Sequence, residues 1–317
     1  MKLLKLATLL PLFLAAPAIA QEQIVDPDFK PSVVSPAYKS NGPVVAIDEA
    51  HNNRHTMSGN YRPFAELLRL DGYRVRPSAT KFSAETFKGI DVFAIVNAEF
   101  EAAESDALRD WVKAGGSLLL TADHAPYGAF TQSLASRFGV TMGKGWAYDS
   151  ETKGRITTQL TYSRANGLLG DPSKTHPILE GRPILDGRNG SERISLVKTF
   201  TGQSLGMPAG ATSLLRFSPT AREAPDQAEL NAAAEAVAQQ KVPAGSPSIA
   251  GRVQGMAMTF GKGRVVVLGE AGMFSAQVVK FPPGSNQADI YFGMQMLGTD
   301  DKQFALNILH WLSGALK

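Results

Sequence analysis

The sequence predicts an α/β fold in which a mainly parallel sheet carries helices on both faces. Three observations predict it. Short apolar runs, the mark of strands covered on both sides, recur at Val44–Ile47, Asp91–Val96, Ser117–Thr121 and Arg264–Leu268. Amphipathic segments at helical spacing separate most of them, and that alternation builds parallel strands joined by crossover helices. Polar residues then follow the strands directly, as in Asp48-Glu49, Asn97, Asp123-His124 and Glu270.

Taken in order, residues 1–20 read as a secretory signal peptide. Lys2 and Lys5 form a positive start, Leu9–Ala16 is apolar, and Ala18-Ile19-Ala20 is a small-x-small cleavage site. The apolar run falls short of the roughly 20 residues a membrane span needs. This predicts a mature chain beginning at Gln21, periplasmic or secreted, with no membrane span. Residues 21–42 are polar and hold three prolines, which predicts a linker or surface arm ahead of an α/β domain over 43–317.

Within the domain, Val44–Ile47 leads to a helix over Tyr61–Leu70, with Phe64, Leu67 and Leu68 on one side and Gly72 just past its end. Tyr73–Arg76 and Asp91–Val96 are strands. Ser105 is expected to cap a helix through Lys113, with Leu108, Trp111 and Val112 inward and Gly115-Gly116 as its stop. Ser117–Thr121 is a strand, and a helix covers Ala129–Phe138. The stretch 140–219 is less regular, with strands expected around Arg193–Thr199 and Thr212–Phe217. Residues 221–251 are Ala/Gln-rich and flanked by prolines, which suggests an inserted helix with mobile ends. Gly261-Lys262-Gly263 between two apolar runs signals a hairpin. Phe281–Gly298 is a long irregular stretch, which reads equally as a lid or as simple surface packing. Asp300 starts a last helix, with Phe304, Ile308, Trp311 and Leu312 at core spacing.

Composition excludes several chemistries. The 317 residues include no cysteine, so a thiol nucleophile, a disulfide framework and a Cys-ligated metal are ruled out. Two of the 32 Lys and Arg lie in the signal segment, so the rest nearly balance the 29 Asp and Glu. No basic block with interleaved aromatics points to nucleic acid. Gly128, Ser133 and Ser136 lack nucleophile-elbow spacing. Gly143-Lys144-Gly145 and Gly261-Lys262-Gly263 lack the strand–loop–helix setting of a phosphate loop.

In open α/β sheets, ligands bind beyond the carboxyl ends of the strands. There this sequence places Asp48, Glu49, His51, Asn52, Asn53 and His55, then Asn97 and Glu99, then Asp123 and His124, and last Glu270, Met273 and Ser275. Asp48, His51, Asp123 and His124 are expected to form one cluster, with a carboxylate or imidazole atom of the first loop within roughly 6 Å of one from the second, because clustered ionisable groups mark functional sites. Two chemistries suit such a cluster. These four side chains could hold a divalent metal ion that activates water, or a histidine could act as general base beside a carboxylate. His51, Asp123, His124 and Glu270 are the catalytic candidates, with Glu270 as supporting base. Asn52, Asn97 and Glu99 are the ligand-binding candidates. His55, His176 and His310 read as structural.

Several stretches together resemble a known family. They are Asp48-Glu49-Ala50-His51-Asn52-Asn53, Thr121-Ala122-Asp123-His124-Ala125-Pro126, Thr175-His176-Pro177-Ile178, Gly202-Gln203-Ser204, Gly263-Arg264-Val265-Val266 with Gly269-Glu270, and Asn307-Ile308-Leu309-His310-Trp311-Leu312. They resemble an exported bacterial family of uncharacterised proteins with the class I glutamine-amidotransferase-like, trehalose-utilisation-type fold. The resemblance implies a flavodoxin-like parallel sheet over most of Pro43–Gly314. In glutamine amidotransferases a cysteine nucleophile follows the strand after a Gly-Gly helix end; here Asp123 and His124 follow it instead, which excludes the thioester glutaminase reaction. The expectation is an exported hydrolase acting on a small-molecule or carbohydrate-like ligand, metal-assisted in one version. The alternative is a non-catalytic ligand-binding or envelope scaffold protein.

Overall fold

The apolar runs assemble the centre of one sheet. In the computed structural model, which describes residues 22–151, 154–184, 191–281 and 288–317, five parallel strands lie in the spatial order Arg74–Ser78, Val44–Asp48, Val92–Val96, Ser117–Thr121 and Gly263–Leu268. Numbered along the chain, that order is 2-1-3-4-5, the flavodoxin-like arrangement. The expected signal segment lies outside the described residues.

Alternation along each strand divides the core into two layers. Val45, Ile47, Val92, Ala94, Leu119 and Val266 face one layer, shared with Phe64, Leu67 and Leu68 of the helix Arg62–Leu70 and Phe304 and Ile308 of the helix Asp301–Leu312. Val44, Ala46, Phe93, Ile95, Leu118, Leu120 and Val265 face the other, with Leu108 and Val112 of Ala102–Ala114 and Leu134 of Tyr127–Ser136. Each such fully buried aliphatic side chain contributes about 1.5–3 kcal/mol. The helix Ala102–Ala114 starts earlier than the serine suggested: Glu101 is its N-cap, and Ser105 Oγ donates to the Glu101 carbonyl inside the first turn.

Beyond the parallel strands the sheet continues antiparallel. Val253–Phe260 pairs with Gly263–Leu268 through the expected hairpin, with Phe260 opposite Gly263. A Cβ on Gly263 would run into the carbonyls of Gly116 and Val112, so the bare backbone lets the hairpin abut the helix end. Leu205–Gly206, Thr141–Met142 and Thr212–Arg216 complete this side, which gives nine strands among the described residues.

The insert, the N-terminal arm and the stretch after Phe281 all contribute paired strands. In the Ala-rich stretch, Arg222–Ala224 pairs with Trp146–Glu151, and Asp226 caps the helix Gln227–Ala238 by accepting from the Glu229 N–H at 2.8 Å. Ile249, near its far end, is buried, so the insert is tied down at both ends. The arm lies on the domain, and its Glu22–Val25 segment pairs antiparallel with Ala276–Lys280. Ile290–Gly293 flanks that strand on its other side, so this part of the stretch after Phe281 is a sheet edge. Residues 282–287 of that stretch lie outside the described residues. Among the described residues, no helix is long and apolar enough to cross a membrane.

Candidate functional site

The loop after Val44–Asp48 sends its two histidines to different places. Asp48 is buried at the strand end, and its carboxylate accepts from His51 Nδ1 at 2.9 Å and Asn53 Nδ2 at 2.9 Å. His51 Nε2 lies 2.9 Å from Oε1 of Glu104, on the helix Ala102–Ala114. The ring sits between Phe82 and Phe100, with centroids 4.5 and 4.6 Å away. Burial alone would lower the imidazole pKa; hydrogen bonds and charge from Asp48 and Glu104 override it and hold it above 6.5. Burial would raise Glu104, yet His51 and the Phe82 N–H bring its carboxyl below its ordinary value. The result is a closed carboxylate–imidazolium–carboxylate latch between strand end and helix.

His51 is thus bonded to Asp48 and Glu104 and not to Asp123 or His124. Asn52 turns the backbone at φ 52°, and the His51 N–H donates to Asn53 Oδ1 at 2.9 Å, which folds His51 back toward the helix. Among the described residues no three His, Asp or Glu side chains are arranged to share a metal ion. The divalent-ion set read from the sequence does not fit this geometry.

A crevice of about 440 Å³ opens at the carboxyl edge of the sheet, and Arg54, His55, Asp123, His124, Trp146 and Glu270 line it. Asp123 and Glu270 follow neighbouring parallel strands, Ser117–Thr121 and Gly263–Leu268. The Asp123 N–H donates to Asn97 Oδ1 at 2.8 Å, and Asp123 Oδ1 accepts from the His124 N–H at 2.8 Å. Gln203 Nε2 holds the turn by donating to the carbonyls of Ala122 and Asp123, at 2.9 and 2.7 Å. Glu270 accepts from the N–H groups of Gly272 and Met273 at 2.7 and 2.8 Å. Even so, burial and the charge of Asp123 push its carboxyl well above the usual range. Burial raises Asp123 as well, against the pull of His124 and Arg54. Two carboxyls that oppose each other's ionisation keep a proton between them to higher pH than a free carboxyl would.

The two crevice histidines differ from His51 and from each other. His55 is buried against Tyr61, whose hydroxyl donates to the Ala271 carbonyl. Burial and the Arg54 charge bring the His55 imidazole down to about 4, so it is neutral at neutral pH. His124 stacks on Trp146 at 3.6 Å, and its Nδ1 is 2.9 Å from the Ala125 carbonyl. A carbonyl only accepts, so Nδ1 carries a proton, and in the neutral ring that leaves the lone pair on Nε2.

Of the other candidates, Asn97 is buried and holds its neighbours in place, while Asn52 and Glu99 are exposed and do not line the crevice. His176 caps the short helix Pro177–Glu180, accepting from the Ile178 N–H, and His310 bonds buried Asp71 at 2.6 Å. Both are structural, as read. His55, also read as structural, proves to be a crevice residue. Sequence reasoning missed Arg54, Tyr127, Trp146 and Phe200 in the lining. Tyr127 could have been found, since it directly follows Asp123-His124-Ala125-Pro126. Trp146 and Phe200 come from the irregular middle, where no period signals their position.

No family profile and no curated protein sequence matches this chain. Solved structures do. The N-terminal domain of mmIFT52 is similar over 85% of this chain and 97% of that one, at 12% identity and a TM-score of 0.56. A ThuA-like protein from Bacteroides uniformis is 9% identical over 89% of this chain and 94% of its own, with a TM-score of 0.40. A GMP synthase protein from Thermoplasma acidophilum is 9% identical over 87% of this chain and 96% of its own, with a TM-score of 0.39. At such identities the likeness is one of fold: the chain is a flavodoxin-like α/β protein, and its chemistry has to be argued from its own crevice.

Proposed function

We propose that this chain is an exported hydrolase that binds a small, hydroxyl-rich, carbohydrate-like substrate in the crevice and cleaves a carbon–oxygen bond. The observation that carries the reading is the pair Asp123 and Glu270, two proton-retaining carboxyls set at adjacent strand ends on one crevice. Glu270 gives its proton to the leaving oxygen as the bond to carbon breaks. Asp123, as carboxylate, takes a proton from the water whose oxygen bonds to that carbon. Proton return from Asp123 to Glu270 restores the pair, and the net change is addition of one water. Tyr127, Trp146 and Phe200 supply apolar faces for a sugar ring among a few polar groups, the usual composition of a small-ligand site.

The test is a screen of the chain from Gln21 onward against nitrophenyl glycosides and esters, with calorimetry on simple sugars. Hydrolysis of a glycoside should fall roughly 10²–10⁴-fold in Asp123→Asn, the size of a lost acid–base group. The melting temperature should hold, since Asn keeps the Oδ1 that accepts from His124. Turnover indifferent to this change, or none across the panel, would overturn the hydrolase reading. Sugar binding without turnover would leave a binding protein using the same crevice.

A further inference from the structure

Asn97 sits between the two strand-end loops that form the crevice. Its Oδ1 accepts from the Asp123 N–H at 2.8 Å, which fixes the direction of the amide. Its Nδ2 then faces His55 Nδ1 at 3.2 Å. An amide N–H group only donates, so His55 Nδ1 must be the acceptor and the ring proton must be on Nε2. His55 lines the crevice, and among the described residues its Nε2 has no hydrogen-bond partner. Tyr61 packs against the ring, and the charged or titratable groups that share the crevice with it are Arg54 on its own loop, Asp123, His124 and Tyr127 after one neighbouring strand, and Glu270 after another.

We propose that Asn97 is a positioning residue that locks His55 as a neutral imidazole presenting Nε2–H to the crevice, where it donates to a substrate oxygen and does not act as a base. His124 offers the complement, because its Nδ1–H is spent on the Ala125 carbonyl and its Nε2 accepts. One ring donates and the other accepts, a combination that suits a ligand with neighbouring hydroxyls, each both donor and acceptor. A fixed donor also strengthens as charge develops on a substrate oxygen, whereas a free amide or ring would have to reorient first. The substrate half of this inference rests on reading the crevice as the binding site; the tautomer half does not.

The experiment is ¹⁵N NMR of the histidine rings in the folded chain. At pH 7 His55 should show the Nε2–H pattern, and the neutral form of His124 should show the Nδ1–H pattern. In Asn97→Asp, a carboxylate oxygen replaces the amide N–H facing His55, so His55 should gain a proton at Nδ1 and its titration should move up from near 4. Methyl glucoside, titrated to hundreds of millimolar, should move the Nε2 signals of both rings. A Nδ1–H pattern for wild-type His55, or no change in Asn97→Asp, overturns the lock. Silence of both rings toward methyl glucoside overturns the donor role. Ring behaviour as expected with no hydrolysis in the screen would sink only the hydrolase reading; hydrolysis with the wrong tautomer would sink only this inference.

Discussion

Three histidines near the carboxyl edge of one sheet face three different groups at Nδ1: His51 a carboxylate, His55 an amide N–H and His124 a carbonyl. Asp48 and Glu104 raise the His51 pKa against the effect of burial, whereas burial and the Arg54 charge lower that of His55. The His51 latch makes a stability prediction with a definite sign. A histidine whose folded pKa lies above 6.5 contributes fully below that value, and the contribution fades as pH rises through the folded pKa. Glu104, lowered from 4.5, contributes above that value and loses its part as pH falls through its folded pKa. His51→Ala, which leaves buried Asp48 and Glu104 without their shared cation, should cost roughly 3–5 kcal/mol between those limits. Urea unfolding at several pH values checks this: the gap between wild type and variant should narrow toward alkaline pH. A gap of constant size would mean that the ring acts by packing alone. The residue types of this site were legible, since polar residues after buried strands could be picked out one by one. Which of them meet was not. That depended on the backbone reversal at Asn52 and on a glutamate in a helix fifty residues away, neither of which leaves a periodic signal.

At the scale of elements, buried strands and amphipathic helices were legible because their periods differ and their ends carry glycine, as at Gly115-Gly116. Edge and insert strands were not, because short segments such as Arg222–Ala224 and Glu22–Val25 take their structure from their partners. The arm strand has a role that its polar composition concealed. Gln23 bonds Gln277 at 2.9 Å, and both line the crevice. Starting the chain at Asp26 should leave the central sheet intact while exposing one edge of Ala276–Lys280. Hydrogen exchange should then show faster amides confined to that strand and its neighbour Ile290–Gly293. Loss of protection across Val92–Val96 or Ser117–Thr121 would show that the arm supports the whole fold.

For the whole molecule, the alternation of runs and helices was enough to give a parallel sheet with both faces covered, whereas the 2-1-3-4-5 order of its strands carries no periodic signal. The antiparallel extension was half visible, as the hairpin at Gly261-Lys262. Export is a proposal about the whole chain, and mass spectrometry of the secreted or periplasmic fraction checks it. The expected mass is that of a chain starting at Gln21, and a mature fraction retaining Met1 would refute cleavage.

The latch between Asp48, His51 and Glu104 also bears on how such a protein can diversify. It fastens the loop through contacts outside the crevice, so Arg54, His55 and Asn60 on the same loop reach the cavity without being its anchors. Fold retention and ligand preference are thus carried by separate residues only a few positions apart. Lineages sharing this backbone can exchange crevice side chains while the fastening stays constant, and drift in specificity need not pass through unfolded intermediates. A library randomised at Arg54 and Asn60 would be enriched in folded members, whereas one randomised at the latch would be depleted of them.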